Sequence, residues 1–467
     1  MGLKSDKHGV KAELKLRYKQ AFKEFPSLVE ARDASLATRE EAFSVIDGNV
    51  IFFSIPQTAR SLDAYIAILT TILKKAIATS AVTAVVFDDP ECLTKAKQQE
   101  QQRRDAARAA TSVMCSSDLF SDSPKDDNYD TKDMEKVQNV HDLVQNRNTR
   151  LRFFDEVAMR VLQNLKSQIE RWNQSGFKGG HIVFDGIDPR GGDRALGNAR
   201  KATVIGSSDE IVRLFDREIQ IGEGDLKLAD LGRRVRSLAL QEDPNFEKTK
   251  LCLTTTIDTD SFAIELIEEA KRCKETEKPS KPFNILLCMR ERARKRGMDD
   301  DKESFYLCCD ISLLQALLQQ HMWSVHRSPS AEDKHAAMTL MCAGWGMCGC
   351  DFLELKGMRS DAVFDSMPIV VKTIPSALDA IKGAFTGKRD DVIKIHEALR
   401  ALTTTCASKL EDVPRIKKET ISAIRNPDDI ILRRASWLSC YWNSIEHRGD
   451  MSDFGFFLPT SHDVVFK

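Results

Sequence analysis

Four short apolar runs with acids at or near their ends constrain this chain more than any other feature. They are residues 43–53 (FSVIDGNVIFF), 81–87 (AVTAVVF), 181–184 (HIVF) and 251–257 (LCLTTTI). Each is rich in β-branched or aromatic residues and bounded by polar ones, as strands buried on both faces of a parallel sheet are. Between them, residues 62–77 and 153–172 carry apolar side chains at helical spacing. Strand and helix alternating in this way predicts an α/β fold, with a mostly parallel central sheet and helices on both faces. From about Ser376 the chain reads mostly as helices. At 467 residues it is long enough to bury a large core. We expect one large domain over 1–370 and a mostly helical region over 371–467. Insertions are expected near 116–150 and 186–210, and charge-rich loops over 274–282 and 290–303.

In open α/β sheets, ligands bind at the carboxyl ends of the strands. Asp47 sits inside the first run, and Asp88 and Asp89 follow the second. Glu223 and Asp225 alternate with Gly222 and Gly224; Asp258 and Asp260 follow the fourth run; Asp351 closes the glycine-rich 346–351 (GMCGCD). One acid at a strand end is ordinarily a loop residue or a helix cap. Carboxylates gathered in one pocket repel and raise one another's pKa, and divalent cations remove that penalty. Mg²⁺ and Mn²⁺ take hard oxygen ligands, and two of them ~3.5–4 Å apart clamp a phosphodiester between its attacking and leaving oxygens. The spacing of Asp258 with Asp260, and of Glu223 with Asp225, puts both members of each pair on one face of an extended segment.

Residues 93–108 (LTKAKQQEQQRRDAAR) are polar nearly all round, which reads as an exposed helix. On such a helix Lys97, Gln101 and Arg104 share one face and present forks suited to a terminal phosphate.

Taken in order, these features resemble the Xrn-type 5′→3′ exoribonucleases, within the wider 5′ nuclease (PIN-like) group that also holds flap endonucleases. The resemblance rests on Phe25-Pro26-Ser27-Leu28, Ile46-Asp47-Gly48-Asn49, Val86-Phe87-Asp88 and the Lys/Gln/Arg segment. Residues 222–227 (GEGDLK) are similar to the family's GEGEHK, Asp258-Thr259-Asp260 to its DAD motif, and 349–353 (GCDFL) to GNDFL. The aromatic stretches 437–442 and 454–459 resemble the end of the family's core. The resemblance implies that Asp47, Asp88, Glu223, Asp225, Asp258, Asp260 and Asp351 hold two Mg²⁺ or Mn²⁺ ions. It implies that Lys95 or Lys97, with Gln101, Arg103 and Arg104, holds the 5′-monophosphate of a single-stranded RNA, which is degraded from that end. Phe53 stands where the family places a base-stacking histidine, and Asp225 where it has a glutamate. After Gly357, residues 358–361 (MRSD) lack the second glycine with which flap endonucleases grip duplex backbone. A DNA flap endonuclease on the same metal site, and an inactive nuclease fold acting as an RNA-binding scaffold, are the alternative readings.

Composition narrows the field further. Lys+Arg 69 against Asp+Glu 70 leaves a net charge of −1, so a nucleic-acid surface must come from local clustering. No stretch approaches the ~18–20 apolar residues of a membrane span, and the N-terminus lacks a signal-peptide core. With twelve scattered cysteines, an intracellular protein with reduced thiols is expected, cytoplasmic or nuclear. Cys342, Cys348 and Cys350 with His335 offer zinc-ligand types, but their apolar run reads as buried thiols. Cys308-Cys309 reads as strand, and Trp437, Tyr441 and Trp442 as core. Neither GxSxG nor GxxxxGK[ST] occurs.

Overall fold

The computed structural model describes residues 9–55, 61–88, 147–174, 180–186, 203–205, 209–215, 224–240, 249–275, 283–292, 304–323, 329–348, 357–384, 390–411, 413 and 416–426. Among them the strands are β1 (Phe22–Phe25), β2 (Ala42–Asp47), β3 (Val82–Val86), β4 (His181–Asp185), β5 (Thr203–Ile205), β6 (Leu251–Thr255), β7 (Asn284–Arg292) and β8 (Ser304–Asp310). The first seven α-helices are α1 (Val10–Arg17), α2 (Leu28–Ala34), α3 (Gly48–Ser54), α4 (Leu62–Thr79), α5 (Arg147–Gln174), α6 (Asp209–Phe215) and α7 (Gly224–Leu240). The rest are α8 (Asp260–Glu275), α9 (Ile311–Met322), α10 (Ala331–Met347), α11 (Ser360–Thr373), α12 (Pro375–Lys382), α13 (Asp390–Glu411) and α14 (Lys418–Arg425). The chain is α/β, with a helical C-terminal region. It packs as two compact units, Pro26–Thr256 and Met1–Phe25 with Ile257–Lys467.

In the unit Pro26–Thr256 the strands lie in the order β6-β2-β3-β4-β5. The first three pairings are parallel and only β4–β5 is antiparallel, so the sheet is mostly parallel. Every residue of β2, β3 and β6 is buried, which is why these segments read as continuous apolar runs and not as alternating ones. Alternation separates the two faces. Ile46, Val85 and Phe184 stand side by side in the register and pack into one core with side chains of α4 and α5. Asp47, Val86 and Asp185, one residue further along, face the other way, the side covered by α7. Each large apolar side chain sunk in such a core contributes roughly 1.5–3 kcal/mol.

The expected first strand is only half strand. The chain leaves β2 at Asp47 and enters α3, because Asp47 caps the helix: Asn49 N–H donates to its carboxylate at 2.9 Å. Gly48 is required by the close approach of the Phe87 ring, which a Cβ there would meet at 2.3 Å. Two further expectations are corrected. Strand β7 continues to Arg292, into the expected charged loop, because it pairs antiparallel with β8 along its length. Gly346 and Met347 belong to a helix, not a glycine-rich strand end. The 116–146 part of the expected insertion lies outside the described residues, while 186–210 contains β5 and the start of α6.

The other unit holds β1, β8 and β7 in that order, antiparallel throughout, and the helices from α8 onward. Helix α10 is buried from Ala336 to Met347, with Trp345 against Phe364 at 5.1 Å between ring centroids. A Cβ on Gly344 would come within 2.6 Å of Leu402 Cδ2, so α10 and α13 cross closely at this glycine. Six of the eight described cysteines are buried, and all eight are free thiols. Burial pushes the Cys342 thiol far above its ordinary value, as a cysteine serving as core packing requires. No helix among the described residues is long and apolar enough to cross a membrane.

Candidate metal centre

Asp47 stands at the carboxyl end of β2, buried at 6% exposure, with one oxygen occupied by the Asn49 amide. Asp258 follows the neighbouring parallel strand β6 by three residues and is exposed. Asp225 is the second residue of α7 and is half-buried. These three each offer a carboxylate oxygen, and the oxygens all lie within 4.8 Å of one another. The residues are remote in sequence, and the parallel pairing of β2 with β6 is what brings Asp47 and Asp258 to one edge.

The first turn of α7 is held down at two points on either side of Asp225. Gly224 N–H donates to Asp88 Oδ1 at 2.7 Å, tying the helix start to a residue two positions past β3. Lys227, at 2% exposure, donates from Nζ to Phe87 O at 2.8 Å and lies 3.3 Å from Asp185 Oδ1. Gly186, next to Asp185, has φ +93°, and a Cβ on it would come within 2.5 Å of Phe87 O and 2.8 Å of Lys227 Nζ. Only glycine adopts that backbone cheaply and also leaves room for the ammonium.

Do the residues present suit a divalent cation? Oxygens bound octahedrally at about 2.1 Å stand about 3 to 4.2 Å apart, so a spread within 4.8 Å needs little closure. The donors are all carboxylate, the hard set that Mg²⁺, Mn²⁺ and Ca²⁺ prefer. Burial also grades from Asp47 through Asp225 to Asp258, so the group is open to solvent on the Asp258 side.

Other sequence-derived candidates fall elsewhere. Asp88 serves the helix start as described, and Asp260 is buried at the first position of α8, outside the three-acid group. Neither Asp225 nor the Asp258 and Asp260 pair lies in an extended strand. Asp225 is helical rather than extended, and Asp258 lies in a loop while Asp260 opens a helix. Phe53 lies in α3. Glu223, Asp351, Lys95, Lys97, Gln101, Arg103 and Arg104 lie outside the described residues. Lys227 and Asp185 are residues whose roles sequence alone does not show: their pairing carries no local sequence signal, because 42 residues separate them. No family model matches this chain, and no curated protein matches it in sequence.

Proposed function

We propose that the chain is a divalent-metal-dependent nuclease of the 5′ nuclease (PIN-like) kind, degrading single-stranded RNA from a 5′-monophosphate. The observation that carries this reading is the meeting of Asp47, Asp225 and Asp258 at the carboxyl edge of a parallel sheet. Asp47, Asp225 and Asp258 would hold the ions, with Glu223, Asp260 and Asp351 completing the set by resemblance. Bound Mg²⁺ or Mn²⁺ supplies charge neutralisation and Lewis acidity at a phosphodiester. The chain's own part is positional. Asp47 is fixed by its capping bond, and Asp225 by the ties at Gly224 and Lys227. Exposed Asp258 leaves the group open to solvent on its side, as access for a substrate requires. Lys95 or Lys97, Gln101, Arg103 and Arg104 would hold the terminal phosphate and so set polarity.

Three RNAs of one sequence, ending in 5′-monophosphate, 5′-triphosphate and 5′-hydroxyl, test this with Mn²⁺ or Mg²⁺ present. The monophosphate RNA is expected to decay fastest, and Asp258→Ala to abolish that decay. Equal rates on all three remove the end recognition. Faster cleavage of a 5′-flap DNA duplex moves the assignment to a flap endonuclease. RNA binding without hydrolysis of any substrate moves it to an inactive scaffold.

A further inference from the structure

We propose that Lys227 is a positioning residue for the metal centre: its buried ammonium sets where Asp225 stands against Asp47. The inference rests on the metal-centre reading above and adds a residue to it. In the register of the sheet, Asp47, Val86 and Asp185 are neighbours on three adjacent strands, so the two acids face the same side with β3 between them. Strands are spaced about 4.8 Å apart, which puts the two positions about 10 Å from each other. Helix α7 serves both acids from one turn. Asp225 joins Asp47, and Lys227, two residues on, joins Asp185.

A lysine at 2% exposure is costly unless its charge is paired and its protons are used. Lys227 meets that requirement with Asp185 and the Phe87 carbonyl. The positive φ of Gly186 and the space it leaves show a local backbone shaped around the ammonium. A buried ion pair as such seldom adds stability over an apolar pair of equal size. What this one adds is direction. With the Gly224–Asp88 bond it brackets Asp225, so the helix can neither slide along the strand ends nor rotate without breaking one tie. Outer contacts that orient a ligand in this way are worth about 10- to 100-fold in metal affinity.

The test is Mn²⁺ binding to the metal-free full chain, followed by calorimetry and by the EPR signal of unbound Mn²⁺. The key variant is Lys227→Met with Asp185→Asn, which removes both charges of the pair. Asp185→Asn alone, which keeps the bond from Lys227 to Phe87, serves if the double variant fails to fold. We expect the double variant to melt near the parent temperature and to bind Mn²⁺ roughly 10- to 100-fold more weakly. Asp185→Asn should show a smaller loss. Hydrogen exchange of the Gly224 amide should quicken in both, while the later turns of α7 keep their protection. A folded variant with parental Mn²⁺ affinity and unchanged Gly224 exchange overturns the positioning role and leaves the metal centre standing. Failure of the parent chain to bind Mn²⁺ at all overturns the metal reading, and this inference with it.

Discussion

Asp47 and Asp185 end neighbouring parts of one sheet at the same register, are 6% and 2% exposed, and lie on the side that α7 covers, yet different described side chains stand beside them. Asp185 has an internal cation, the ammonium of Lys227, 3.3 Å away. Asp47 has two more carboxylates, from Asp225 and Asp258, within 4.8 Å. The same strand-end position thus becomes a structural tie in one case and a gathering of negative charge in the other. The distinction lies in what the first turn of α7 brings to each. An acid matched within the fold is finished chemistry. One placed among other acids is suited to a cation from outside.

The sharpest way to break this contrast is to neutralise each acid in turn. Asp47→Asn keeps an oxygen to cap α3, so the variant should melt within a few degrees of the parent. Its nuclease rate should fall on the order of 10³-fold, beyond the ~10- to 100-fold of an outer contact. A rate within tenfold of the parent, measured on 5′-monophosphate RNA, would remove Asp47 from the centre. Lys227→Met alone should act chiefly on stability. It removes one member of the buried Lys227–Asp185 pair, which costs about 3–5 kcal/mol in a urea titration. Adding Asp185→Asn should recover most of that loss, since both charges of the pair are then gone. If the single and double variants are equally unstable, the tie is packing and not charge.

How much of this contrast can be read along the chain depends on which contacts are local. The strands β2, β3, β4 and β6 were legible because a strand buried on both faces must be apolar throughout. The break between β2 and α3 was not. Residues 50–53 (VIFF) suit a buried helix as well as a strand, and the cap at Asp47 decides between them. Helix α10 escaped notice for a related reason: it is buried all round, so no periodic stripe marks it. In the candidate site, Asp47, Asp225 and Asp258 were legible as acids beside apolar runs. The extended geometry expected for Glu223 with Asp225 and for Asp258 with Asp260 is not found, because helices begin at Gly224 and Asp260. The match of Lys227 with Asp185 depends wholly on how far α7 reaches across the sheet, and no window of sequence contains it.

Glycines at the two ties allow a finer comparison. Gly186→Ala puts a Cβ 2.5 Å from a backbone oxygen at φ +93°, and should cost about 1–3 kcal/mol in urea unfolding. Gly224→Ala meets Asp88 Oδ1 at 3.3 Å and backbone atoms of Asp88 and Phe87 at ordinary contact distances of 3.6 and 3.8 Å, and should cost less than ~1 kcal/mol. Reversal of that order would mean that the crowding around Phe87 and Gly186 relaxes more easily than the helix start does.

The smallest effect at neutral pH belongs to the other end of β4. His181 opens the strand that Asp185 closes, and its buried Nδ1 has no hydrogen-bond partner among the described residues. Burial, and then the positive charge of Arg39, lowers its pKa from 6.5 to about 4. The unfolded chain therefore takes up a proton as pH falls through 6.5, while the folded chain resists until near 4. Stability from this residue is complete above pH 6.5 and declines between 6.5 and 4, where the unfolded state binds more protons. His181→Gln should leave the urea midpoint unchanged at pH 8 and lessen the loss at pH 5 by about 1–2 kcal/mol. Parallel acid limbs for parent and variant would show that the sensitivity lies elsewhere. A flattened limb would show that the two ends of β4 obey opposite rules, with a charge that is kept because it is paired at Asp185 and a charge that is refused because it is not at His181.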